Sequence, residues 1–168
     1  ILLLQNEISN ISYLIEQASG KGMRIILNPS PFEEWMQHID LKALYCVILN
    51  ETEAGGMTGT GQPFDFLEMV QNRYLSLNVI LTLGKQGCIC WWDGRLYRQQ
   101  AFETEIVDTT GAGDTFTGYF IAGLYRGDDI TVILKEAAVA AAIAISKEGA
   151  ASSIPEYEDV KKTLENNR

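Results

Sequence analysis

Apolar residues recur along this chain in two rhythms. Short stretches that are apolar almost throughout, ILLL (1–4), MRIILNP (23–29), ALYCVILN (43–50) and NVILTLG (78–84), predict buried strands. Between the first two, Ile11, Leu14, Ile15 and Ala18 fall at helical spacing; Ser9 or Asn10 is placed to cap that helix, and Gly20 and Gly22 to end it. PFDFLEMVQNRYLS (63–76) reads as an amphipathic helix. Strands that lack a polar face, separated by helical segments, predict a parallel sheet covered on both faces.

The rhythm then changes. CICWWDGRLYRQQ (88–100) alternates on both sides of Asp93-Gly94, the signature of a hairpin with a type I′ turn. In that alternation one of Trp91 and Trp92 packs inward and the other faces solvent or a partner. TEIVD (104–108) reads as a further strand, and the rest as helices over roughly 113–126, 130–147 and 155–166. The order predicts an α/β fold: three αβα layers, doubly wound around a mostly parallel sheet, with residues 1–168 forming one portion of a domain.

Composition narrows the partners. The 168 residues are 46% hydrophobic and 21% charged, which suits one globular unit with a real core. Acids outnumber bases 22 to 13, for a net charge of -9, so nucleic acid is not an expected partner. A polyanionic ligand would have to be held by local amides and metal ions. Cys46, Cys88, Cys90 and the single His38 make no zinc set; three reduced thiols in a cytoplasmic protein are the expectation, with His38 on the surface. The longest apolar run, Ala137–Ile145, is too short to span a bilayer, and ILLLQNEIS has no basic start, so no membrane association is expected. The chain begins at Ile1 in mid-strand, which reads as a fragment.

The chemistry concentrates in DTTGAGDTF (108–116), between a predicted strand and a predicted helix. Gly111 and Gly113 free the backbone, and the helix that follows turns its amides and positive dipole end toward the turn, an arrangement suited to phosphate. Two familiar phosphate loops are excluded by spacing: the dinucleotide fingerprint needs glycine where Phe116 stands, and a P-loop needs lysine where Tyr119 stands. Asp114 is open between two tasks. It is either a helix cap or a base that accepts a proton from an attacking hydroxyl.

The stretch resembles the second signature of the ribokinase-like (PfkB) carbohydrate kinases, D-T-x-[AG]-[AG]-G-D. NETEA (50–54) is similar to the family's N-x-x-E motif, LTLGKQG (81–87) to its T-L-G-x-x-G nucleotide loop, and AAIAISKEGAASSIP (141–155) to its C-terminal helix and loop. ILNPSP is similar to the N-P-x-P of ribokinases. The resemblance spans the chain but only the C-terminal half of the family's usual length, without its sugar-binding N-terminal part and lid. It implies ATP, magnesium and potassium as cofactors. By position, Asp114 would be the catalytic base and Gly111, Ala112 and Gly113 the anion hole. Glu53 would sit near magnesium, and Asn50, Thr82, Gly84, Gly87, Gly113, Asp114 and Ala138 near the nucleotide. Asp108, Thr110, Ala144, Lys147, Gly149 and Ser153 would hold the monovalent cation.

The expected function is therefore ATP-dependent phosphorylation of a sugar hydroxyl. Ribose is the favoured acceptor, with fructose, 2-keto-3-deoxygluconate and nucleosides behind it. The alternatives are a non-catalytic nucleotide-binding module and a half-fold completed by homodimerisation.

Overall fold

The computed structural model describes residues 1–166, which divide into two compact units. The first comprises residues 1–84 and 88–98, the second 85–87 and 99 onward.

The first unit is built on a six-stranded sheet in sequential order: β1 (Leu2–Gln5), β2 (Ile25–Asn28), β3 (Cys46–Asn50), β4 (Asn78–Thr82), β5 (Cys88–Trp92) and β6 (Arg95–Gln99). Strands β1 to β4 are parallel and β5 runs antiparallel to β4. The fold is thus α/β with a mostly parallel sheet, and no reversal of strand order falls within the described residues.

Alternation along each strand explains why these segments read as apolar throughout. Leu4, Leu27, Val47, Leu49, Val79 and Leu81 join Ile11 and Ile15 of α1 (Ile11–Gly20), Ala54 of α2 (Glu51–Thr58) and Phe66 and Val70 of α3 (Pro63–Arg73) in one core. Ile26, Cys46, Ile48, Ile80 and Cys90 point the other way and are equally buried, none more than 2% exposed. The crossover from β2 to β3 uses two 3₁₀ turns, Glu34–His38 and Leu41–Ala43, and seats Met36, Ile39, Leu41 and Leu44 in the core. Cys46, Cys88 and Cys90 are buried free thiols, and burial pushes Cys46 and Cys90 well up from the usual thiol range.

Several local expectations need correction. Asn10 stands before α1 in the left-handed region, φ 65°, and its side chain makes no cap. At the other end Gly20 is still helical. Gly22, φ 67°, closes the helix, with its N–H on Ser19 O at 2.9 Å and Met23 N–H on Ala18 O at 3.0 Å. Helix α3 stops at Arg73 because Tyr74 leaves helical geometry. The hairpin turn is as expected, with Asp93 at φ 48° and Gly94 at φ 75°. Both tryptophans are withdrawn from solvent: Trp92 meets Tyr45 edge-on at 5.6 Å, while Trp91 is half-buried against the α1–α3 side.

The second unit packs α4 (Ala112–Arg126), α5 (Ile130–Ile145) and α6 (Tyr157–Asn166). The strand expected at 104–108 is absent, because the N–H groups of Val107 and Asp108 both go to Ile145 O at the end of α5, at 2.8 and 3.2 Å, and not to a ladder. One buried acid ties the three helices together. Glu136 on α5 accepts from Arg126 at the end of α4 (2.5 Å) and from the Tyr157 hydroxyl opening α6 (2.9 Å). Helices α4 and α5 cross closely at Gly123, where a Cβ would lie 2.8 Å from Ile133 Cγ1.

That crossing sets two effects in opposition. Gly123→Ala gains up to about 1 kcal/mol in helix propensity, whereas overpacking against Ile133 costs about 1–3 kcal/mol. Urea unfolding of the variant is expected to show a net loss of stability. A net gain would mean that α4 and α5 can separate freely.

Candidate functional site

Each of the four parallel strands ends in a polar residue: Gln5, Asn28, Asn50 and Thr82. By strand alternation all four side chains lie on the face opposite α1–α3, since Leu4, Leu27, Leu49 and Leu81 before them join that core. Gln5 pairs in register with Asn28, and Asn50 with Thr82. The carboxyl edge of a parallel sheet, where backbone ends and helices begin, is where such folds bind ligands.

At this edge the N-x-x-E stretch forms a capping box on α2. Asn50 Oδ1 accepts from the Glu53 amide, Glu53 Oε2 accepts from the Asn50 amide, and Asn50 Nδ2 donates to Glu53 Oε1, each at 2.9 Å. Glu53 is only 7% exposed, so its carboxylate is held in one orientation. Each oxygen keeps a lone pair beyond those bonds, which fits a hard divalent cation carrying several waters. Thr82 Oγ1 donates to Leu49 O at 3.3 Å. Gly84 follows with φ 52° and open space where its Cβ would lie. Gly87 is different. A Cβ there would come within 2.0 Å of Gln99 O, so close backbone packing alone demands glycine.

In the second unit the glycine turn is assembled by one carboxylate. Asp108 Oδ1 accepts from the Thr110 amide (2.9 Å) and hydroxyl (2.7 Å), and Oδ2 from the Gly149 amide (3.1 Å). These three donors hold the Asp108 carboxyl below the usual carboxylate range, with the Thr110 hydroxyl the largest contributor. Gly111 takes the N-cap position of α4 with φ 74°, and Ala112, Gly113 and Asp114 form the first turn. Gly111 would meet the loop at Ala150 only in ordinary contact, 3.4 Å from where its Cβ would stand, so it is its left-handed backbone, φ 74°, that calls for glycine. Gly113 has nothing within 4 Å of that point and an ordinary φ. Its bare surface leaves the helix N-terminus beside it open to an anion such as phosphate, although the Ala112 amide already donates to Thr109 O at 3.3 Å.

Asp114 is exposed and opens a shallow groove of about 300 Å³ along α4, which continues past Gly118 and Ala122 to Arg126. Of the residues expected near a monovalent cation, Asp108, Thr110 and Gly149 are joined directly by these bonds. Lys147 closes on Ala144 O at 3.1 Å, and the buried Ser153 donates to Ala150 O at 2.7 Å. Among the described residues no three acids, cysteines or histidines cluster as a metal site, so a cation here would be held by one carboxylate with carbonyls and hydroxyls. Ala138 is buried on α5, and His38 and Lys85 are exposed. No helix among the described residues is long and apolar enough to cross a membrane.

Sequence reasoning gave Gln5 no role and met Asn28 only as part of the N-P-x-P stretch. The signal was present, since each apolar run stops at a polar residue. It becomes meaningful only when the register pairs Gln5 with Asn28 and Asn50 with Thr82, the first pair lying two residues short of the second because Leu27 is beside Val47.

The model of the pfkB family carbohydrate kinases matches residues 3–157. The deoxyribokinase of Salmonella typhi is 29% identical over 173 aligned positions, covering 98% of this chain and 55% of its own length. The ribokinase of Lactococcus lactis subsp. lactis is 32% identical over 167, covering 98% and 53%. Among solved structures, Arabidopsis thaliana ribokinase complexed with ribose and ATP superposes with a TM-score of 0.82 at 29% identity, over 96% of this chain and 55% of that one. The chain spans about half the length of the curated relatives it matches.

The two glycines of the turn give opposite expectations for stability. Gly111→Ala should cost about 1–2 kcal/mol for its left-handed backbone, while Gly113→Ala should be neutral or stabilise by up to about 1 kcal/mol. Denaturant titration checks both. The Asp108 staple adds a pH signature. Its folded-state pKa lies below the unfolded value of about 4, so its contribution is complete above that value and is lost as pH falls through the folded one. The difference in melting temperature between wild type and Asp108→Asn should therefore be largest near neutrality and shrink below about pH 4.

Proposed function

Since the chain belongs to the pfkB family of carbohydrate kinases, we propose that it carries the nucleotide-binding and catalytic portion of an ATP-dependent sugar kinase. The observation that carries the reading is the start of α4: a fixed turn, a helix N-terminus left bare by Gly113, and an exposed acid one residue later. A bare helix N-terminus accepts a phosphoryl group, and the acid gives that site a task other than anion binding.

In this reading Asp114 takes the proton from the attacking sugar hydroxyl, and the amides of Gly111, Ala112, Gly113 and Asp114 steady charge on the transferred group. In the first unit Asn50, Thr82 and Gly84 serve the nucleotide, and Glu53, oriented by Asn50, holds magnesium-bound water. When bound, magnesium neutralises charge on the phosphates. Asp108 keeps the turn in place through Thr110 and Gly149. Its carboxylate, with the Ala144, Lys147, Gly149 and Ser153 oxygens, is the expected seat of potassium, and small Ala138 leaves room for a flat base. A pentose is the favoured acceptor, because deoxyribokinase and ribokinases are among the matched relatives and the chain carries N-P-S-P.

Asp114→Asn tests the base. Turnover with ribose and ATP should fall by about 10²–10⁴-fold while ATP still binds; undiminished turnover would remove the assignment. Gly113→Ala should weaken turnover on the order of 10²-fold with no loss of stability. ATP binding by wild type without transfer to any sugar would instead favour a nucleotide-binding module.

A further inference from the structure

The polar row at the sheet's carboxyl edge is longer than the nucleotide reading uses. Asn50 and Thr82 account for β3 and β4, while Gln5 and Asn28 extend the same face across β1 and β2. Asn28 stands out, because it is only 8% exposed and its Oδ1 has no hydrogen-bond partner. Pro29 follows it and brings no N–H, and the nearby Ser30 and Pro31 carbonyls are acceptors already engaged by Asn6 at 2.9 and 2.7 Å. An orphaned buried amide oxygen costs about 1–3 kcal/mol, and an apolar residue of the same shape would remove that cost.

The chemistry of the orphan atom restricts its ligand. An amide oxygen accepts and cannot donate, so it cannot pair with phosphate oxygens or with the Glu53 carboxylate. To form a hydrogen bond it needs an O–H or N–H. Neighbouring strands lie about 4.8 Å apart and Leu27 is in register with Val47, so Asn28 lies on the strand beside that of Asn50 and two residues short of it, on the side away from Thr82 and Gly84. We propose that Asn28 binds a hydroxyl of the polyol acceptor. This rests on the kinase reading above. Gln5, in register with Asn28, borders the same space.

Asn28→Leu separates this role from a structural one. Melting temperature and the binding of ATP and of d-ribose are measured on wild type and variant. The proposal expects an unchanged or higher melting temperature, ATP binding as in wild type, and ribose affinity at least about 10-fold lower. Asn28→Asp, which keeps the acceptor oxygen, should bind ribose more tightly than Asn28→Leu. A fall of about 3 °C or more in Asn28→Leu, the size of one satisfied buried hydrogen bond, overturns the proposal. So does equal ribose binding by wild type and Asn28→Leu, or ATP binding by wild type without ribose binding. Absence of ATP binding in wild type overturns the kinase reading itself.

Discussion

A parallel strand buried on both faces leaves its own sequence almost no room for chemistry. In β2 to β4 the residues facing α1–α3 and those facing away are equally withdrawn from water, so a polar group inside would be stranded; at the β1 edge Leu3 is 37% exposed. Polarity is pushed to the strand ends, which gather at one edge because the strands are parallel, in line for β1 with β2 and for β3 with β4 and staggered by two residues between β2 and β3. The location of the first unit's candidate chemistry follows from burial before any motif is considered. Asn50 and Glu53 are the clearest case: the last residue of β3 is also the N-cap of α2, so the switch from strand to helix fixes the acid in place.

The second unit depends on a carboxylate used in a different way. Asp108 lies outside any strand, and its oxygens collect donors from both sides of the glycine turn. Thr110 is local to the turn, while Gly149 is distant in sequence and belongs to the loop after α5. A single side chain therefore sets where α4 begins relative to that loop. The bond network of Glu136 does the same at the other end of α4, joining Arg126 and Tyr157. Helix α4 is thus fixed at both ends, and the exposed first turn between fixed points can present its amides without fraying.

Strand runs, hairpin and helices were legible because each rests on a short-range rule. The Asp93-Gly94 turn is decided by two residues, and the alternation beside it needs no partner. The failures share a cause. TEIVD has the composition of a strand, but its N–H groups are claimed by Ile145, 38 positions further along from Val107. Asn10 has the right side chain for a cap but adopts a left-handed backbone. Asn28 was visible in the N-P-x-P stretch but without a task, because a polar residue at one strand end carries no message until its neighbours are known. In each case a distant segment decides what a local pattern means.

The two acids at helix starts show how structure separates residues that sequence leaves alike. Glu53 and Asp114 both occupy the third helical position, where a dipole favours negative charge. Glu53 is buried and answered by the Asn50 side chain, so its capping box is reciprocal and its orientation single. Asp114 follows Gly111, which has no side chain with which to answer, and Gly113, which covers nothing. A helix that needed only a cap would be better served by Asn, Ser or Asp at the N-cap position itself. Glycine in the left-handed region there forgoes that stabilisation and leaves the first turn bare. Such a start is costly for the helix alone and useful only if something else is to meet those amides. Within this turn the tasks are separable: Asp108 and Gly111 shape it, Gly113 keeps it open, and Asp114 is the exposed acid it carries.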